Sequence, residues 1–252
     1  MARLKGRTAL VIGSATGIGR AVAQAFAAEG AVLVIADKGQ AAEKAVQVQD
    51  IEAAGGRAIA CDCDVTVEAD VRDAITAAAD YGAGRLDILV NNAGIGLPMT
   101  DFIDMEWNDW QRVLDVNLRG VAWGMRHALP VMLEQRYGRI INTASQLAHK
   151  PAAQAAAYSA SKAAVVALST AVAQEVAADF VELRFSLGTV EFEFDKLADP
   201  GGFHRGQAMM MDGIAHRHAL WIEHTLFRQH DDFGFHKGGH PMKHPPLCQR
   251  DF

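Results

Sequence analysis

The feature that most constrains this chain is a glycine-rich turn between a strand and a helix near its start. Thr8 to Ile12 form a short apolar run, Gly13-Ser14-Ala15-Thr16-Gly17-Ile18-Gly19 follows, and helical spacing begins at Ile18. Glycines let the backbone turn tightly and approach a bound group closely. The helix start adds unpaired N–H groups and the positive end of its dipole. Together they predict a seat for a dinucleotide pyrophosphate, with Gly13, Thr16, Gly17, Ile18 and Gly19 around it. The spacing is Gly-x3-Gly-x-Gly, and a tight turn without a ligand would use the same glycines. The rest of the chain has to decide.

The rest alternates. Strand-like runs at 31–36, 58–60, 86–90 and 139–143 are separated by Ala-rich helical patterns at 18–29, 41–54, 68–80, 107–135 and 155–178, and 181–187 offers a sixth strand. Strand and helix in turn imply parallel strands joined by crossovers, and nearly all-apolar strands imply cover on both faces. The expected class is α/β, a doubly wound parallel sheet with helices on both faces. No break rich in Pro, Gly or Ser divides the chain before residue 180, so residues 1–252 read as a single domain. Within it, 188–220 is expected to be a substrate-loop region and 221–252 an atypical His-rich tail.

Composition excludes several function classes. Half the residues are hydrophobic and 21% are charged, which excludes disorder for the bulk of the chain. No run reads as the ~18 to 20 apolar residues that span a bilayer, so no membrane partner is expected. A net charge of -6 argues against nucleic acid, whose binders carry basic footprints. Three cysteines, an odd count, predict no disulfide framework and a reducing, cytoplasmic setting. Cys61 and Cys63 stand too close for a typical zinc pair, and no metal is expected.

Several residues point to chemistry. Asp37 closes the second strand, 18 residues after Gly19, where a carboxylate can accept both ribose hydroxyls of an adenosine and repel the extra phosphate of NADP. NAD is therefore the expected cofactor, although Lys38 beside it keeps NADP open. Asp64 and Val65 leave the third strand at the same edge and could meet the adenine. Asn91-Asn92-Ala93-Gly94 ends the fourth strand there too, with Asn91, Ala93 and Gly94 expected at the cofactor. Tyr158 and Lys162 stand four residues apart on one face of a helix. A cation beside a phenol favours its anion, so the pair can exchange a proton near neutrality. Ser145 lies 13 residues before Tyr158, just past the fifth strand, able to bond the same substrate oxygen.

Over roughly residues 5 to 190 the chain resembles the short-chain dehydrogenase/reductase family. The resemblance rests on Gly13, Gly17 and Gly19, Asp64, the Asn91 to Gly94 run, Asn117 in Asp115-Val116-Asn117-Leu118, Ser145, and Tyr158-x3-Lys162. It implies a Rossmann-type fold and a catalytic set of Asn117, Ser145, Tyr158 and Lys162. In that set Tyr158 is the general acid or base, Lys162 lowers its pKa and holds the nicotinamide ribose, and Ser145 polarises the carbonyl. Asn117 is implied to hold a water that links Lys162 to solvent. The resemblance also implies contacts from Gly188 and Val190 to the nicotinamide amide. It implies a substrate pocket of Ile95, Leu97, Gln146, Leu147, Gln154 and Phe192, and a homodimer or homotetramer built through the long helices.

The match departs late in the chain. Where relatives carry a proline this chain has Leu187, and where they carry a threonine it has Phe192. Valine occurs 20 times up to Val190 and never after it, while eight of ten histidines follow Pro200. Three readings stand for this tail: a metal set of His236, His240 and His244, a divergent loop, or a shifted reading frame. The expected activity is oxidoreduction of a small or medium secondary alcohol and its ketone by hydride exchange with NAD. The alternatives are an NADP-linked 3-oxoacyl thioester reductase and a catalytically silent NAD(H)-binding regulator.

Overall fold

A computed structural model describes residues 2–176 and 181–186. The expected substrate-loop region and His-rich tail lie outside these residues, as do Gly188, Val190 and Phe192. Six parallel strands form one sheet: β1 (Thr8–Ile12), β2 (Val32–Asp37), β3 (Arg57–Asp62), β4 (Ile88–Asn91), β5 (Gly138–Thr143) and β6 (Val181–Ser186). Their spatial order is β3-β2-β1-β4-β5-β6, with each neighbouring pair in parallel register. The winding direction reverses between β1 and β4, and the crevice beyond their carboxyl ends is where such sheets bind ligands.

Alternation along the strands divides the core. Ala9 and Val11 of β1, with Leu33 and Ile35 of β2, face Val22, Ala23 and Phe26 of α1 (Gly17–Ala28) and Ile51 of α2 (Ala41–Ala53). Leu10 and Ile12, with Val34 and Ala36, face Val71 and Ile75 of α3 (Glu68–Tyr81) and Met125 and Met132 of α5 (Gly120–Glu134). Successive side chains leave a strand on opposite faces, so an all-apolar run builds both cores at once.

Two expectations change. The helix expected over 107–135 is broken: α4 (Trp107–Leu114) passes through a π-helical turn, Asp115–Arg119, before α5 begins. The wider turn rotates Asn117 inward, where its amide bonds Ile95 and Ser161. Those bonds explain a feature that hydrophobic spacing does not carry. Second, α6 (Ala156–Glu175), with 20 residues and a mean hydropathy of 1.2, is long and apolar enough to cross a membrane, which no run of the sequence was expected to be. It packs along β6 and carries buried Ser161, Lys162 and Val165, as a helix facing a core does.

Candidate active site

The glycine turn leaves β1 at the winding reversal, and each glycine has its own reason. Gly13 has φ +81°, and a Cβ there would lie 2.5 Å from the Ala93 nitrogen. At Gly19 a Cβ would lie 2.0 Å from the Gly13 carbonyl oxygen, so the first turn of α1 can seat against the loop only without a side chain. Gly17 has φ +56° and open space around it. No side chain caps α1 and no acid stands in its first turn, so its N–H groups face a cleft of about 930 Å³ lined by Gly13, Thr16 and Ile18. A helix N-terminus without its own anion, beside open backbone, fits a pyrophosphate.

The adenosine end is built by β2 and β3. Asp37 accepts from the backbone N–H of Ala15 at 2.8 Å and of Lys38 at 2.9 Å, which ties the glycine loop to the strand end. Lys38 reaches across the cleft to Asp64 at 2.7 Å, and Asp64 also accepts from the Thr66 N–H and hydroxyl. Partial burial pushes the Asp64 carboxyl up, but the bonds from Lys38 and Thr66 outweigh it and hold the group below the usual range. Asp37, Asp64 and Val65 all line the cleft, as do Ala93 and Gly94.

Asn91 does not. It is the last ladder residue of β4 and is buried, donating from Nδ2 to Oδ1 of Asn142 at 2.8 Å; Asn142 in turn donates to Ser169 at 2.9 Å. A Cβ at Gly124 would meet the Asn91 Oδ1 at 2.2 Å, so α5 closes over this amide. The asparagine at the cleft is Asn92, which donates to the Gly13 carbonyl at 2.7 Å and accepts from the Thr143 hydroxyl at 3.3 Å.

Tyr158 and Lys162 project from α6 into the same cleft. Burial pushes the Tyr158 phenol above its usual value, and a hydrogen bond with Ser145 only partly opposes that. Burial lowers the Lys162 ammonium to about 8. The ammonium donates to the Thr143 carbonyl at 2.7 Å and lies 5.7 Å from the centre of the Tyr158 ring. The expected lowering of the tyrosine by the lysine is therefore reversed: desolvation of the phenol prevails and the ammonium is turned toward a carbonyl. Asn117 stands in the helical stretch where it was expected, close behind Lys162. Fully buried behind the cleft, its Oδ1 accepts from the Ile95 N–H at 2.8 Å and its Nδ2 donates to the Ile95 carbonyl at 2.9 Å. It holds the loop after β4, and a Cβ at Gly94 would touch both Asn117 Oδ1 (3.3 Å) and Lys162 Nζ (3.4 Å).

Beside Tyr158 opens a second cavity of about 180 Å³, walled by Leu97, Leu147 and Gln154 as expected. Ile95 lines the larger cleft, whereas Gln146 is exposed on a short 3-10 turn and lines neither. Gln154 holds φ +62°, donates from its amide to Asp101 at 3.1 Å and accepts from the Thr100 N–H at 3.1 Å. These bonds join the loop after β4 to the segment before α6.

Asn92 and Val116 stand in the quoted motifs without a site role of their own, yet both line the cleft; Thr143 and Arg112 join them there, and Met99 and Met105 line the smaller cavity. Asn92 carried a signal, since it follows β4 at the ligand edge. The methionines carried none, because a loop has no period. Among the described residues no group of three or more His, Cys, Asp or Glu could hold a metal.

The arrangement has close counterparts. The sequence profile of the short chain dehydrogenases matches residues 7–186. Zerumbone synthase of Zingiber zerumbet is 40% identical over 177 residues, which cover 69% of this chain and 64% of that protein. (+)-Borneol dehydrogenase 2 of Salvia officinalis is 41% identical over 183 residues, covering 69% and 61%. The crystal structure of a short-chain type dehydrogenase/reductase from Mycobacterium marinum superposes with a TM-score of 0.69 at 35% identity, covering 73% of this chain and 72% of that one. The chain spans less than two thirds of the length of the curated relatives it matches.

Proposed function

The chain belongs to the short chain dehydrogenase family, whose members are oxidoreductases that bind a nicotinamide cofactor, and on that premise we propose that it interconverts a compact secondary alcohol and its ketone with Tyr158 as the proton-exchanging group. The observation that carries the reading is the meeting of Tyr158, Lys162 and the glycine loop in one cleft, with a small cavity opening beside the phenol.

When bound, the nicotinamide ring would supply or accept the hydride. The N-terminus of α1, Gly13 and Gly17 would hold its pyrophosphate, and Asp37 the adenosine ribose. Asp37 supports NAD as the preferred form, since a carboxylate there repels a ribose phosphate. Buried Tyr158 keeps its proton at neutral pH, so the free protein holds the acid that ketone reduction needs. Ser145, in hydrogen-bond contact with that phenol, orients the same substrate oxygen. Lys162 places an ammonium poised near pH 8 within reach of the cleft.

The substrate class follows from the smaller cavity. Leu97, Met99, Met105 and Leu147 make it apolar, and none of its described lining residues is a lysine or arginine, which disfavours a phosphorylated or carrier-bound substrate. Relatives named for borneol, and others named tropinone reductase-like, support a compact alicyclic alcohol. We extend the proposal to a homodimer or homotetramer in the cytoplasm. Half-buried Trp123, Leu129 and Leu168 on α5 and α6 support the first, and the free thiols Cys61 and Cys63 the second.

An NADH oxidation screen over alicyclic and open-chain ketones tests the reading, with Tyr158→Phe as the reference variant. The variant should lose turnover and keep NADH binding within a few-fold. Alcohol oxidation retained by Tyr158→Phe would remove Tyr158 from the reaction.

A further inference from the structure

Lys44 is a buried lysine that the expected chemistry does not use. It stands in the first turns of α2 with 4% of its surface exposed. Its ammonium donates to the carbonyl of Asp37 at 2.9 Å, to the carbonyl of Cys61 at 2.9 Å, and to the carboxylate of Asp62. All three donor protons are thus matched, which is the condition under which a buried ammonium is tolerated. The two carbonyls belong to the last residue of β2 and the next-to-last of β3, and the Asp37 carbonyl also accepts from the Cys63 N–H at 3.1 Å. One cation therefore stitches the ends of two strands to α2 at the point where both turn into the cleft.

Asp37 is bound at both its ends. Its main chain is held by Lys44 from behind, and its carboxylate is held by the Ala15 N–H from the glycine loop in front. We propose that Lys44 is a positioning residue for the adenosine half of the coenzyme, acting through the strand end that carries Asp37. The inference rests on the nicotinamide-coenzyme reading above. An apolar side chain of equal length would fill the same space yet leave the Asp37 and Cys61 carbonyls without this donor. The Asp37 carbonyl would then keep only the Cys63 N–H, and the strand end that carries the carboxylate would be held less firmly.

The test is a double-mutant cycle on the full chain, read by direct NADH titration as well as by turnover. Lys44→Met should weaken NADH binding about tenfold, the scale of losing a charge-assisted hydrogen bond at a buried site. In an Asp37→Ala background the same change should add no more than about twofold, because a residue acting through Asp37 has nothing left to position. In steady state KM for NADH should rise while kcat holds, whereas general loosening raises KM and lowers kcat as well. If Lys44→Met does not accumulate as folded protein, Lys44→Gln keeps a neutral donor and should show a smaller shift in the same direction. Additive losses in the double variant overturn action through Asp37. NADH affinity equal to that of the unsubstituted chain overturns the positioning role alone. Failure of the unsubstituted chain to bind either NADH or NADPH overturns the coenzyme reading and this inference with it.

Discussion

Replacing Lys162 with methionine should make the protein more stable while it ends turnover. Lys162 is 3% exposed, and burial lowers its ammonium from 10.5 to about 8. That shift corresponds to about 3 kcal/mol by which the folded chain disfavours the charge. One hydrogen bond, to the Thr143 carbonyl at 2.7 Å, would be lost in exchange. At about 2 kcal/mol net for a bond from a charged donor, Lys162→Met should gain about 1 kcal/mol at pH 7. The pH dependence is the sharper signature. Below pH 8 the amine is charged in the folded and the unfolded chain alike, and the whole burial penalty weighs on the fold. As pH rises from about 8 toward 10.5 the folded chain releases its proton first, so the unsubstituted protein regains stability relative to the variant. Between pH 7 and pH 9.5 the regain should be about 2 kcal/mol. Urea unfolding of both proteins at the two pH values measures it. A stability difference that does not change with pH, or a variant less stable at pH 7, would refute the argument.

Three further outcomes follow from contacts in the site. Gly19→Ala should destabilise the fold by about 3 kcal/mol or abolish soluble expression, since its Cβ would meet the Gly13 carbonyl oxygen at 2.0 Å, whereas Gly17→Ala has open space and should cost about 1 kcal/mol for its positive φ. Urea midpoints compare the pair, and equal losses would contradict the division of roles. Asn142→Leu leaves the Asn91 amide buried without its acceptor and should cost about 2–3 kcal/mol in unfolding free energy; a cost under about 1 kcal/mol would show that the network contributes little. Asp37→Ala should lower the NAD over NADP ratio of kcat/KM by about tenfold, and an unchanged ratio would mean that another group reads the ribose.

Much of the fold was legible because its signals are local. The apolar runs that become β1, β2 and β5 sit within a residue of their expected places, and the helix α1 starts at Gly17 rather than Ile18. The spacing from Tyr158 to Lys162 puts both on one side of α6 wherever that helix lies, so the pair was readable without coordinates. Gly13, Thr16 and Asp37 line the cleft for the same kind of reason, since each follows directly from where a strand ends. The choice between Asn91 and Asn92 was not local. Both leave β4 together, and only the pairing of Asn91 with Asn142 on β5 turns it inward. Lys44 was invisible for a similar reason, because an exposed and a buried lysine look alike in the first turn of a helix.

By itself, the sequence determined a doubly wound parallel sheet with a dinucleotide turn at its start and a Tyr-Lys pair at its ligand edge. Strand and helix periods, and the φ that only glycine adopts easily, are properties of short segments. Tertiary structure alone decided which side chain of each pair faces the cleft and which is held behind it. It also decided that Asn117 would stand in a π turn and clamp Ile95, and that burial would raise Tyr158 and lower Lys162 to about 8. Those outcomes depend on what is packed against a residue from distant parts of the chain, and no stretch of sequence contains its own dielectric surroundings.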